Sequence, residues 1–94
     1  MDGHFSVGKM YIWDADNPYG SVSYIVYLGN HYDMFSEKSQ NAFIQKGDTI
    51  VVLDLYAGNA ANGLIQDIKV LTGNGDIGWI RVHRYHFYQW HLVQ

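Results

Sequence analysis

The sequence predicts a small all-β domain, and three features of it indicate this class. Of its 94 residues, 8 are Tyr, 4 are Phe and 3 are Trp, and such side chains favour pleated strands over helices. Short apolar runs recur between turns rich in glycine, asparagine and aspartate. The strong helix formers are sparse. We therefore expect five or six short antiparallel strands in a single domain spanning residues 1–94.

Each expected strand is an apolar or alternating run that ends at a turn former or a loop. The runs are residues 9–13, 21–28, 49–57, 64–72 and 77–93. Loops are expected at 14–20 and 58–63, and the last run is too long for one strand, so we expect a break near 84–86. Residues 31–45 have irregular apolar spacing, which leaves a short helical turn within 33–45 and a plain loop equally open.

Alternation along the strands also predicts which side chains are buried. The stretches 49–56, 64–72 and 77–83 are expected to form a consecutive antiparallel meander. The core side chains expected there are Ile50, Val52, Ile68, Val70, Ile80 and Val82. The opposite face carries Asp67, Lys69 and Arg81, which we expect to be exposed, because neighbouring strand residues point to opposite faces.

Part of the chain resembles a known family. Residues 46–53 read KGDTIVVL, residues 68–70 read IKV and residues 77–80 read IGWI. This order of motifs, over about residues 43–83, resembles SH3-like domains of the bacterial type and the similar KOW-like small barrels. The resemblance implies an SH3-like barrel. The eukaryotic SH3 segments that bind proline-rich peptides are missing, so that activity is not carried over. Gly78 is expected to allow a close approach of two strands.

Composition excludes some functions. The chain has no cysteine, so disulfides and thiolate chemistry are absent. A net charge of −3 argues against bulk binding of nucleic acid. No apolar run approaches the ~20 residues of a membrane span, and the first residues lack the features of a signal peptide, so we expect a cytoplasmic protein with no membrane partner.

The C-terminal segment 79–91 is the most unusual part of the sequence, because it is rich in aromatic and basic residues and holds no acid. If Ile80 and Val82 face the core, then Trp79, Arg81 and His83 face outward. Such side chains are typical anchors of binding surfaces. The candidate binding residues are Trp79, Arg81, His83, Tyr85 and Trp90.

Several functions remain open at this point. The leading interpretation is a non-catalytic interaction module that presents this surface to a protein partner or to a second copy in a homo-oligomer. The alternatives are a nucleic-acid-binding barrel that stacks bases on the tail, and a histidine- or metal-dependent enzyme. The rings could also simply complete the core. Gly73, Gly75 and Gly78 match a dinucleotide fingerprint but precede a strand, so we expect a hairpin there and no cofactor. We also expect no metal site, because His83 and His86 would lie on opposite faces of a strand and no metal-binding spacing occurs, and no catalytic residue, because no nucleophile motif occurs.

Overall fold

Strands form nearly all of the regular structure. The computed structural model describes residues 4–15, 23–36, 39–57 and 63–94. Its strands are β1 (Met10–Trp13), β2 (Ser23–Leu28), β3 (Asn41–Gln45), β4 (Thr49–Leu55), β5 (Ile65–Thr72), β6 (Ile77–His83) and β7 (Trp90–Leu92). Short 3-10 helices lie at His31–Asp33 and Arg84–Gln89. The all-β prediction is confirmed, with seven strands instead of five or six. The loops predicted at 14–20 and 58–63 fall mostly outside the described residues.

The seven strands form one antiparallel sheet in the order β3-β2-β6-β5-β4-β1-β7. The sheet curls, so side chains from distant strands meet on its inner face: Ile44 of β3 and Trp90 of β7 belong to the same buried cluster. The ring of Tyr24 on β2 lies 5.4 Å from that of Trp13 on β1 and 5.3 Å from that of Trp90. These aromatic contacts close the inside of a half-barrel.

The predicted meander and core are confirmed. Strands β4, β5 and β6 pair consecutively and antiparallel. All six predicted core side chains are at most 1% exposed: Ile50, Val52, Ile68, Val70, Ile80 and Val82. Burial of each such side chain stabilises the fold by about 1.5–3 kcal/mol, so this inner face is the main source of stability.

Glycines act at two points in this sheet. Gly75 has a φ of +90° in the turn between β5 and β6, where the N–H of Thr72 donates to the carbonyl of Asp76, so the predicted hairpin is confirmed. A Cβ atom on Gly78 would lie 2.6 Å from the carbonyl oxygen of Tyr27 and 2.8 Å from Cγ1 of Val26. The expected close approach of strands at Gly78 is therefore confirmed, and it is β2 that approaches.

The structure differs from prediction in the segment 31–45. A 3-10 helix occupies His31–Asp33, earlier than the predicted turn, and residues 41–45 form strand β3. This strand was missed because it is short and lies at an edge of the sheet, where Ile44 is buried while Phe43 is half exposed. The break predicted near 84–86 is confirmed, since a 3-10 helix separates β6 from β7.

Candidate functional site: the cleft where β2 leaves β6

Strands β2 and β6 pair over only a short distance. The paired positions are Tyr27 with Trp79 and Leu28 with Gly78. Before this point β2 continues along β3, and after it β6 continues along β5 as far as His83. The first half of β2 and the second half of β6 therefore face each other without a described strand between them.

A cleft of about 460 Å³ opens at this divergence. Its floor includes Trp13 and Tyr24, which also belong to or pack on the core. The described lining residues are Trp13, Ala15, Ser23, Tyr24, Ile25, Tyr27, Phe35, Arg81, His83, His86 and Gln89. Aromatic and basic side chains dominate this lining, and no Asp or Glu is among the described lining residues. The cleft thus combines apolar area with hydrogen-bond donors.

The backbone of β2 points polar groups into the cleft. The N–H of Leu28 donates to the carbonyl of Gln40, on the β3 side of β2. Backbone groups alternate in direction along an antiparallel strand, so the N–H and C=O groups of Val26 and Tyr24 also point toward β3. The N–H and C=O groups of Ser23 and Ile25 therefore point the other way, toward the cleft. This stretch is a strand edge that lies inside a concave aromatic site.

The side chain of Tyr24 connects β2 to β6 in the part of the cleft where these two strands do not pair. Its hydroxyl donates a hydrogen bond to the carbonyl oxygen of Arg81 on β6. Burial, with a smaller contribution from the charge of Asp67, raises the pKa of the Tyr24 hydroxyl well above its usual value. Tyr24 is therefore held neutral, as a donor, at the floor of the cleft.

Arg81 is held in a fixed position at the wall of the cleft. Its Nε lies 2.7 Å from Oδ1 of Asp67 and its Nη2 lies 2.9 Å from Oδ2. The hydrogen bonds to Asp67 raise the already high pKa of Arg81, so it remains a cation. The guanidinium carbon also lies 4.8 Å from the ring centroid of Phe35, a cation–π contact.

Phe35 completes the outer wall and has an unusual backbone conformation. Its φ is 65°, in the left-handed region that a bulky residue rarely adopts. Its ring lies 4.6 Å from that of Tyr27, and 54% of the residue is exposed. Strained positions of this kind concentrate at ligand sites, so the exposed ring is consistent with a binding role.

The structure places the five predicted binding residues in different surroundings. Arg81 and His83 line the cleft, as the surface hypothesis requires. Tyr85 is 65% exposed but is not part of the cleft lining; its ring stacks 5.4 Å from that of His83. Trp79 is only 8% exposed, so the expectation that it lies at the surface is wrong, and Trp90 is 1% exposed, which matches the alternative that it completes the core.

The burial of these residues has two physical causes. Trp90 packs in the core, with its ring 5.8 Å from that of Trp13. Trp79 does lie on the outer face of β6, but His31 packs edge-on against it at 5.0 Å, and Tyr56 stacks on His31 at 3.6 Å. The first 3-10 helix therefore covers part of the outer face of β6, which alternation alone predicts to be exposed to solvent.

The same covering explains why Asp67 is buried. The prediction that it is exposed is wrong, because the residue is 0% exposed and Nε2 of His31 lies 2.6 Å from its Oδ2. Lys69 and Arg81 are half-buried, so the prediction of exposed side chains is also wrong for them. The guanidinium of Arg81 and the imidazole of His31 both lie at hydrogen-bond distance from the carboxylate of Asp67. A buried carboxylate needs such partners to offset its loss of hydration.

Comparison of the chain with models of known families, with curated proteins and with solved structures finds no match. In the described ranges, no three His, Asp or Glu side chains come together in a way that could hold a metal ion. No helix found in the described part of the chain has the length and apolar character needed to cross a membrane. The cleft is therefore the candidate functional site of this protein.

Proposed function

We propose that this protein is a non-catalytic interaction module that binds a segment of a partner protein in the cleft between β2 and β6. The observation that carries the proposal is the lining of the cleft, where aromatic rings and a fixed arginine surround an open strand edge. Tyrosine, tryptophan and arginine are the residues that contribute most to protein interfaces.

The exposure of the wall residues supports this function. Ile25 is 37% exposed and Phe35 is 54% exposed on the two sides of the opening. A partner that covered them would gain about 25 cal/mol for each Å² of apolar surface removed from water. The volume of about 460 Å³ is in the range of roughly 300–1,000 Å³ that is typical of ligand sites.

Nucleic-acid binding is the alternative, and the burial pattern weakens it. Stacking needs exposed rings, and Trp79 and Trp90 are buried. The exposed rings of the tail are Tyr85 and Tyr88, next to the exposed Arg84. A protein segment fits the aromatic cleft better than a phosphate backbone does.

A peptide selection tests the proposed function. A random peptide library displayed on phage is selected against the protein, and the affinities of the selected peptides are measured for two variants. Phe35→Ala removes a cleft ring, and Phe43→Ala removes a ring that is 50% exposed on β3 but does not line the cleft. We expect Phe35→Ala to weaken binding about tenfold, an effect of about 1.4 kcal/mol, and Phe43→Ala to leave it unchanged.

Two results would contradict this function. One is a set of selected peptides that bind the wild type and both variants equally, because their site would then lie elsewhere. The other is the absence of peptide binding together with salt-dependent binding of a single-stranded oligonucleotide, which would favour the nucleic-acid alternative.

A further inference from the structure

We infer that the partner segment binds as an extended strand, hydrogen-bonded to the open edge of β2, with a carboxylate side chain directed toward Arg81 and His83. This inference rests on the proposed function and adds the conformation and charge of the ligand to it. Addition of a peptide strand to an exposed sheet edge is a recurring mode of recognition.

The edge of β2 has the groups that strand addition needs. Ser23 and Ile25 direct their N–H and C=O groups into the cleft, because Tyr24, Val26 and Leu28 use theirs toward β3. The facing edge of β6 is less available, since the carbonyl of Arg81 already accepts a hydrogen bond from Tyr24. A segment of about four residues could therefore pair with β2 and leave the Tyr24 bridge intact.

The outer edges of the sheet do not offer the same combination. In the described ranges, the edge strands β3 and β7 also each have one side without a strand neighbour. The edge of β2, however, lies within a cleft whose floor is aromatic, so a strand added there buries its side chains as well as its backbone. Backbone hydrogen bonds supply affinity in this mode, and pockets for alternate side chains supply selectivity.

The charge of the cleft defines the side chains of the ligand. Arg81, His83 and His86 line it, and the described lining holds no acid. Asp67 binds Nε and Nη2 of Arg81, which leaves the donors on Nη1 for a ligand. Side chains alternate along a strand, so a bound segment whose apolar side chains face Trp13 and Tyr24 would direct the intervening side chains outward. A carboxylate at one of these outward positions could accept hydrogen bonds from Arg81.

The test uses a synthetic peptide of about eight residues that alternates Glu with Val or Phe and is capped at both ends, alongside the tightest peptide from the library. Each is made in two N-methylated forms, one methylated on the amides of one face of the strand and one on the amides of the other. We expect one form to lose about tenfold or more in affinity and its counterpart to bind normally, because only one set of amides faces β2. Replacement of Glu by Lys should weaken binding by a similar factor.

A second readout locates the contact. We expect the amide of Ile25 to gain protection from hydrogen exchange when the peptide binds, and the amide of Val26 to change little. Peptides that lose affinity with Phe35→Ala but tolerate both methylation patterns would overturn strand addition and leave the interaction module in place. Failure of the synthetic and library peptides to bind at all would overturn both.

Discussion

Asp67 and Arg81 lie directly opposite each other on β5 and β6, and the guanidinium of Arg81 forms two hydrogen bonds with the fully buried carboxylate of Asp67. Removal of one partner of a buried ion pair usually costs about 3–5 kcal/mol. The side chain of Arg81 is 35% exposed, so we expect Arg81→Leu to lower the free energy of unfolding by less, about 2–3 kcal/mol. Urea denaturation measures this loss.

The double variant provides the control for this pair. Asp67→Leu combined with Arg81→Leu removes the buried charge along with one of its two partners, and leaves the half-buried imidazole of His31. We expect the double variant to be more stable than Arg81→Leu alone, because hydrophobic side chains can replace a buried pair at little cost. A double variant that loses the sum of both single effects would show that the two side chains act independently.

Strand β2 lies close to β6 at Gly78, and we expect Gly78→Ala to destabilise the fold by about 1–3 kcal/mol, because its Cβ would lie 2.6 Å from a backbone oxygen. Gly73→Ala is the matched control. There the nearest atom to a new Cβ is Oγ1 of Thr49 at 3.5 Å, an ordinary contact, so we expect a change within about 0.5 kcal/mol. Equal thermal stability of the two variants would refute the close approach.

The raised pKa of Tyr24 predicts a loss of stability in alkali. An unfolded tyrosine titrates near pH 10, so below that pH both states hold the proton, and the hydrogen bond from Tyr24 to Arg81 contributes fully to stability without adding any pH dependence. Above it, the unfolded chain releases the proton while the folded protein retains it, and the free energy of unfolding falls by up to about 1.4 kcal/mol per pH unit. We expect Tyr24→Phe to be less stable at pH 8 but to show a flatter decline between pH 9 and 11, measured by urea denaturation. An identical decline would contradict the raised pKa.

Self-association through the aromatic tail stays a prediction, and the structure identifies the side chains that could support it. Tyr85 and Tyr88 on the second 3-10 helix are 65% and 70% exposed. We expect the wild type to sediment as a dimer at high concentration, and a Tyr85→Ser, Tyr88→Ser variant to sediment as a monomer. Two proteins that sediment alike as monomers would exclude this oligomer.

Local alternation was sufficient to predict the inner face of the sheet. Buried residues recur at every second position, Ile68 and Val70 on β5 and Ile80 and Val82 on β6, and a shift of one residue would place charged neighbours in the core. The same alternation put Asp67 and Trp79 on the correct outer face. It could not predict that His31 and Tyr56 cover them, because His31 is distant in sequence and lies in a segment with irregular apolar spacing, and Tyr56 stacks on His31.

The candidate site was only partly predictable for a similar reason. Arg81 and His83 were identified from the composition of the tail, but the cleft also needs Trp13, Tyr24 and Phe35 from the first half of the chain. Its position depends on where β2 stops pairing with β6. That divergence follows from the curl of the sheet, which local sequence patterns do not predict.

The divergence of β2 from β6 is the central claim, and amide hydrogen exchange of the free protein tests it most directly. Val26 and Ile25 are neighbours in one short strand, and their amides point in opposite directions, toward β3 and toward the cleft respectively. We predict that the amide of Val26 is strongly protected and that the amide of Ile25 exchanges at least about tenfold faster, because no strand in the described part of the chain pairs with it on the β6 side. Equal protection of the two amides would contradict the claim, since it would mean that the edge of β2 is already paired.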